Sequence, residues 1–93
     1  MDEPNNVTQF RAVTSQMAEM YAAKNHDYGD SFGRSIEKYG AIAGLTRISD
    51  KFNRLETLLL GAESRVADEK VADTLLDLAN YSIMLYIALN KNN

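Results

Sequence analysis

Asp73 and Asp77 stand one helical turn apart, and Asn80 follows a turn later on the same face. Like charges at that spacing cost an isolated helix roughly 0.2–0.5 kcal/mol, so the pair calls for a reason. Two carboxylates on one face, joined by a third from a neighbouring helix, supply hard oxygen ligands for Mg²⁺. Asp50 is the natural third member. The same pair also lies nearly opposite the centre of its helix's apolar arc, so a solvated face accounts for it as well. On the preceding helical stretch Arg47, Asp50, Lys51 and Arg54 share the polar side, at the spacing of a surface ion-pair ladder. Lys51, however, projects beside Leu58 at the apolar edge, where a purely solvating lysine is not expected. A phosphate oxygen near Lys51 and Arg54 would receive charge-assisted hydrogen bonds there.

A third concentration of chemistry runs from Lys24 to Phe32, where charge, aromatic rings and glycine crowd together. Tyr28 and Phe32 could stack on a nucleobase while Lys24 and Arg34 approach phosphate. Equally, the two rings could close the end of a helical bundle, with Gly29 supplying a positive φ. His26 is the one histidine, and it reads as a surface or capping residue rather than a general base. There is no cysteine, which excludes disulfides, thiolate metal sites and a cysteine nucleophile. No Ser–His–acid set, glycine-rich phosphate loop or metalloprotease motif is present. The groups left for chemistry are carboxylates, cations and tyrosines.

Charge is unevenly placed. Arg34, Lys38, Arg47, Lys51 and Arg54 outnumber Glu37 and Asp50 in one stretch. Glu63, Asp68, Glu69, Asp73 and Asp77 outnumber Arg65 and Lys70 in the next. Attraction between antiparallel neighbours explains this, and so does a site holding phosphate on one helix and a divalent cation on the other. The net charge of −3 argues against general DNA or RNA binding.

These groups must be positioned by a small framework. A chain of 93 residues with 45% apolar content suits one domain, 1–93, whose own core is marginal. One proline and five glycines give too little punctuation for an all-β fold, and 3.6-residue periodicity dominates. Asn6 and Gln9 read as a capping box starting a first helix near Val7. Val7, Phe10, Val13, Met17, Met20 and Tyr21 form its stripe toward Lys24, and Asn25 to Asp30 reads as a turn. Asp30 is placed to cap a short helix from Ser31 to Tyr39, with Gly40 ending it. A long helix follows from Ala41 to Leu60, with Ala41, Leu45, Ile48, Phe52, Leu55 and Leu59 on one face and Gly61 as its stop. After a polar connection over 62–67, a last helix runs from a cap at Asp68 to Leu89. Its apolar arc spans roughly 200°, so two sides of it need cover. The expected fold is all-α: a compact bundle of three long helices and one short one, with loose ends at 1–6 and 90–93. A homodimer or higher oligomer would complete its cover. No basic signal segment opens the chain and no apolar run is long enough to span a bilayer, so a cytoplasmic protein is expected.

Four segments taken together carry a resemblance. They are Lys24-Asn25-His26-Asp27-Tyr28-Gly29-Asp30-Ser31-Phe32, then Tyr39-Gly40, then Arg47-Ile48-Ser49-Asp50-Lys51-Phe52-Asn53-Arg54-Leu55, then Asp73-Thr74-Leu75-Leu76-Asp77-Leu78-Ala79-Asn80-Tyr81. The combination resembles the nucleotide modification associated domain 1 family of bacteriophages and prophages, over roughly residues 10–90. That family is in turn distantly similar to all-α nucleoside triphosphate pyrophosphohydrolases of the MazG and dimeric dUTPase type. The resemblance implies a MazG-like helical fold, Mg²⁺ held by paired acids on two helices, and cleavage of a triphosphate to monophosphate and pyrophosphate by an oligomer. Asp77 matches the aspartate of the second acidic pair, whereas Thr74 stands where its glutamate would be, with Asp73 as a substitute. Asp50 stands for one acid of the first pair and Asn53 occupies the other position. The acids are thus reduced and Lys51 and Arg54 are added.

Two functions follow from the resemblance. One is an Mg²⁺-dependent pyrophosphohydrolase acting on a canonical or modified nucleotide. The other is a non-catalytic module that sequesters a nucleotide signal or assists DNA base modification. In either, Lys24, Asp27, Tyr28, Arg34, Arg47, Lys51, Arg54 and Asn80 would contact nucleotide; in the first, Asp50, Asp73 and Asp77 would hold metal. A phage-encoded chain would act in the host cytoplasm. A third reading, an interaction domain whose charges are all surface ladder, needs no ligand.

Overall fold

The computed structural model describes residues 5–28, 30–61 and 67–91. It is all-α, with α1 (Asn6–Tyr28), α2 (Ser31–Tyr39), α3 (Ala41–Leu60) and α4 (Ala67–Asn90), and no strand among the described residues. The three long helices and the short one are those the periodicity implies. None of them is long and apolar enough to cross a membrane. The chain divides into two compact units, Met1–Asp30 and Ser31–Asn93.

The first unit is α1. Its cap is Asn5 rather than Asn6: the Asn5 Oδ1 accepts a hydrogen bond of 2.8 Å from the Thr8 backbone N–H. That satisfies one of the donors a helix start leaves open, one residue earlier than the Asn6–Gln9 spacing implies. At the other end the helix does not stop at Lys24 but continues through Asn25, His26 and Asp27 to Tyr28. Turn-forming residues are weak helix formers, yet extending an existing helix adds one hydrogen bond per residue fixed, whereas nucleation alone is costly.

In the second unit α3 and α4 share the most extensive packing and α2 packs on both. Gly40 joins α2 to α3 with no loop between them. Its N–H donates to the Ile36 carbonyl at 2.7 Å, closing α2, and its own carbonyl accepts from Ala43 at 3.0 Å, opening α3. The backbone there has φ 84° and ψ −175°, a region that residues with a Cβ scarcely enter. A Cβ built on Gly40 would meet nothing within 4 Å, so any penalty for substitution is purely conformational. Gly40→Ala is therefore expected to cost about 1–3 kcal/mol of stability. Urea denaturation measures this, and a loss below about 0.5 kcal/mol would show that the junction relaxes without strain.

The face of α3 that packs differs from the apolar stripe expected of it. The covered residues are Gly44, Ile48, Lys51, Leu55 and Leu58, while Leu45, Phe52 and Leu59 are exposed. The seam is turned toward Gly44, where α4 lies close: a Cβ on Gly44 would lie 2.7 Å from Leu85 Cδ1. Spacings of four and three along this line are those of helices packed side by side. On α4 the covered line includes Thr74, Asp77, Leu78, Tyr81, Leu85 and Ala88. Leu76, Ala79, Ile83 and Tyr86 lie on the opposite side of α4 and are exposed. Among the described residues Thr74 and Gly44 are buried and no large apolar side chain is. The helix start expected at Asp68 lies at Ala67, and the connection over 62–66 lies outside the described residues.

Candidate functional site

Packing of α3 on α4 fixes which polar groups meet. Gly44 faces Leu85, Arg47 faces Tyr81 and Lys51 faces Asp77, so each turn forward on α3 is a turn back on α4. The helices are therefore antiparallel, and their shared edge is polar. Lys51 Nζ lies 3.0 Å from Asp77 Oδ2, a charge-assisted contact between the helices. One turn away, the Arg47 guanidinium carbon sits 5.9 Å from the centre of the Tyr81 ring, at the outer limit of a cation–π contact. From α2, the Phe32 ring stacks on Tyr81 at 5.5 Å between centroids and 30° between planes. Arg54 follows Lys51 by one more turn, at the level of Thr74 and Asp73. Arg47, Lys51 and Arg54 thus form a column of cations along one edge of α3.

The Lys51 and Asp77 side chains retain 29% and 48% of their exposure. An ion pair so well solvated contributes about 1 kcal/mol at most to stability, and less in salt. Its main effect is to hold an ammonium group at a defined height in the column. Asp77, read from periodicity as a residue of the solvated face, is instead half-covered and engaged with α3. Thr74 is 2% exposed and its hydroxyl donates to the Lys70 carbonyl at 2.7 Å. The position where a glutamate would be expected therefore faces the helix seam and its hydroxyl proton is committed to its own helix.

The remaining expected site residues are distributed as follows. Asp50, Asp73 and Arg54 are exposed, and Asn80 is half-covered on α4 beside Tyr81. Arg34 is exposed on α2, where it lines an open depression with Ser31, Ser35 and Lys38. Lys24 is exposed on α1, in the other unit. The side chains of Asp27 and Tyr28 lie outside the described residues. Magnesium would need the carboxylates of Asp50, Asp73 and Asp77 turned toward a common point. Among the described residues no three acidic or imidazole groups are gathered in that way. With Asp77 engaged by Lys51, the acids as placed do not form a ready cradle for a divalent ion.

Tyr81 is the residue that sequence reasoning did not assign a role. Its signal was present: Arg47 and Tyr81 each stand one turn from the Lys51 and Asp77 pair, in opposite chain directions. Once the helices are antiparallel they must meet. Phe32, read as a platform for a nucleobase or as an end cap, has one face taken by Tyr81. No base fits between these rings, because interleaving one requires about 7 Å between planes, twice the stacking distance of aromatic surfaces.

A sequence model of the family described as nucleotide modification associated domain 1 matches residues 24–89, from the last part of α1 to the end of α4. The chain belongs to that family. No curated protein and no solved structure matches it.

Proposed function

We propose, on the premise of that membership, that the chain binds a nucleotide and holds its phosphates on the cationic edge of α3. The family's description connects it to nucleotide modification. The observation that carries the reading is the column itself. Three cations stand at one-turn intervals, and among the described residues Lys51 alone of them pairs with an acid on α4. Phosphate oxygens are the ligands such a column suits, Arg as a bidentate fork and Lys as a point charge. Asn80, half-covered beside Tyr81, offers an amide to sugar or base. In this reading the protein retains a nucleotide for a base-modifying reaction or removes it from solution.

Calorimetric titration of the whole chain with nucleoside mono-, di- and triphosphates tests the proposal. Binding is expected to strengthen with phosphate number and to weaken steeply with salt, as charge-based recognition does. Affinity that ignores phosphate number, or no binding in the whole panel, would sink it. Release of pyrophosphate from a bound triphosphate in Mg²⁺ would assign the hydrolytic function that the more distant resemblance implies.

The protein works, in the same proposal, as a homodimer or higher oligomer. The support is α4, whose side away from α3 presents Leu76, Ala79, Ile83 and Tyr86, the last 69% exposed. Exposed apolar surface of that continuity marks an association face. Light scattering on the eluting protein is expected to give at least twice the chain mass. Ile83→Glu should halve it, and a wild-type monomer at high micromolar concentration would refute the assembly.

A further inference from the structure

We infer that Lys51 is the built-in cation of the nucleotide site, so that phosphates are bound there without a bridging divalent metal ion. This rests on the nucleotide-binding proposal above and specifies its charge chemistry. The Lys51 ammonium already holds the Asp77 carboxylate at 3.0 Å. A divalent ion on the same carboxylate would sit about 2.0–2.6 Å from its oxygen. That places it within a few ångströms of the ammonium, where like charges repel. Arg47 and Arg54, a turn to either side, add to the repulsion. The next position on the seam, Thr74, supplies no carboxylate, and its hydroxyl proton is bound to the Lys70 carbonyl. Asp73 stands one turn from Asp77, but among the described residues no group of three acids gathers to offset the three cations.

The arrangement suits a phosphate directly. A lysine ammonium has three donors, and Asp77 occupies one. Among the described residues no acid pairs with the other two, which can reach phosphate oxygens while Asp77 keeps the ammonium in place. Asp77 is then a positioning residue: it fixes the height of Lys51 in the column and touches no ligand itself. Both side chains keep part of their solvent exposure, so an incoming anion reaches the ammonium without opening the helix pair.

The test uses the full-length chain with inorganic tripolyphosphate and a deoxynucleoside triphosphate as probes, each titrated in EDTA and in millimolar MgCl₂ at equal ionic strength. Both probes are expected to bind in EDTA, with affinity no weaker than in Mg²⁺, because magnesium neutralises the phosphate charge that the column reads. Lys51→Gln should weaken binding about ten- to a hundredfold in both buffers, the loss of a hydrogen bond to a charged group. Lys51→Arg should restore part of it. Circular dichroism melting of each variant confirms that the fold is kept. Asp77→Asn should weaken binding less than Lys51→Gln, and its binding should still need no magnesium. Binding that appears only with Mg²⁺ overturns the inference and leaves the nucleotide proposal standing, as does wild-type affinity in Lys51→Gln. Failure of every probe in both buffers overturns the nucleotide proposal itself, and this inference with it.

Discussion

Gly44→Val is expected to lower the unfolding free energy by about 2–3 kcal/mol, the cost of overpacking a close helix contact. The cause is the approach of α4: even the first added carbon would lie 2.7 Å from Leu85 Cδ1, and 3.2 Å from Leu85 Cδ2. Valine adds two methyl groups beyond that carbon, so Leu85 must move or the helices must part. Gly44→Ala should be far milder. Its single clash is with the far end of a flexible side chain, and alanine recovers about 1 kcal/mol of helix propensity. A double-mutant cycle isolates the contact. In a Leu85→Ala background the cost of Gly44→Val should fall by about 1–2 kcal/mol, measured by urea denaturation. Simple additivity of the two changes would show that Gly44 does not face Leu85 in solution.

The second large effect concerns the cation column. Replacing Arg47 and Arg54 together by Gln is expected to reduce nucleotide affinity by about a hundredfold or more, each charged hydrogen bond contributing about 1.5–3 kcal/mol. Stability should change by less than about 1 kcal/mol, since both side chains are exposed and neither anchors the core. The dependence of affinity on salt should flatten in the same variant, because fewer charges remain to be screened. Calorimetry at two salt concentrations, with a parallel denaturation curve, reads all three quantities. Wild-type affinity with an unchanged salt dependence would move the phosphate site away from α3.

Periodicity was enough to place α2, α3 and α4 almost to the residue, because apolar spacing, Gly40 and Gly61 all agree on where helices run and stop. It was less able to choose faces. The strongest apolar stripe of α3 contains Leu45, Phe52 and Leu59, yet all three remain exposed. The partner helix settles instead over Gly44, whose lack of a side chain no hydrophobic pattern registers. The turn expected at Asn25 to Asp30 is helical as far as Tyr28 for a related reason: local preference is small beside the gain from extending a helix already formed. At the candidate site, Lys51 was read at an apolar edge as a phosphate contact, and the structure pairs it with Asp77 of α4, a partner that spacing did not name. Asp77 was not separable from Asp73 by spacing alone, because which of two acids a turn apart meets a cation depends on where the neighbouring helix lies. Tyr81 was invisible until the antiparallel pairing put it opposite Arg47.

The junction at Gly40 ends one helix and begins the next with a single residue. A connection of that kind has no slack, so chain length between Phe32 and Arg47 is itself part of the design. An inserted or deleted residue at this point has no loop in which to vanish, and would turn one helix by about 100° relative to the other. Phe32 would swing away from Tyr81, and the aromatic support beneath Arg47 would go with it. The number of residues at this junction is therefore as strict a requirement as the glycine that occupies it.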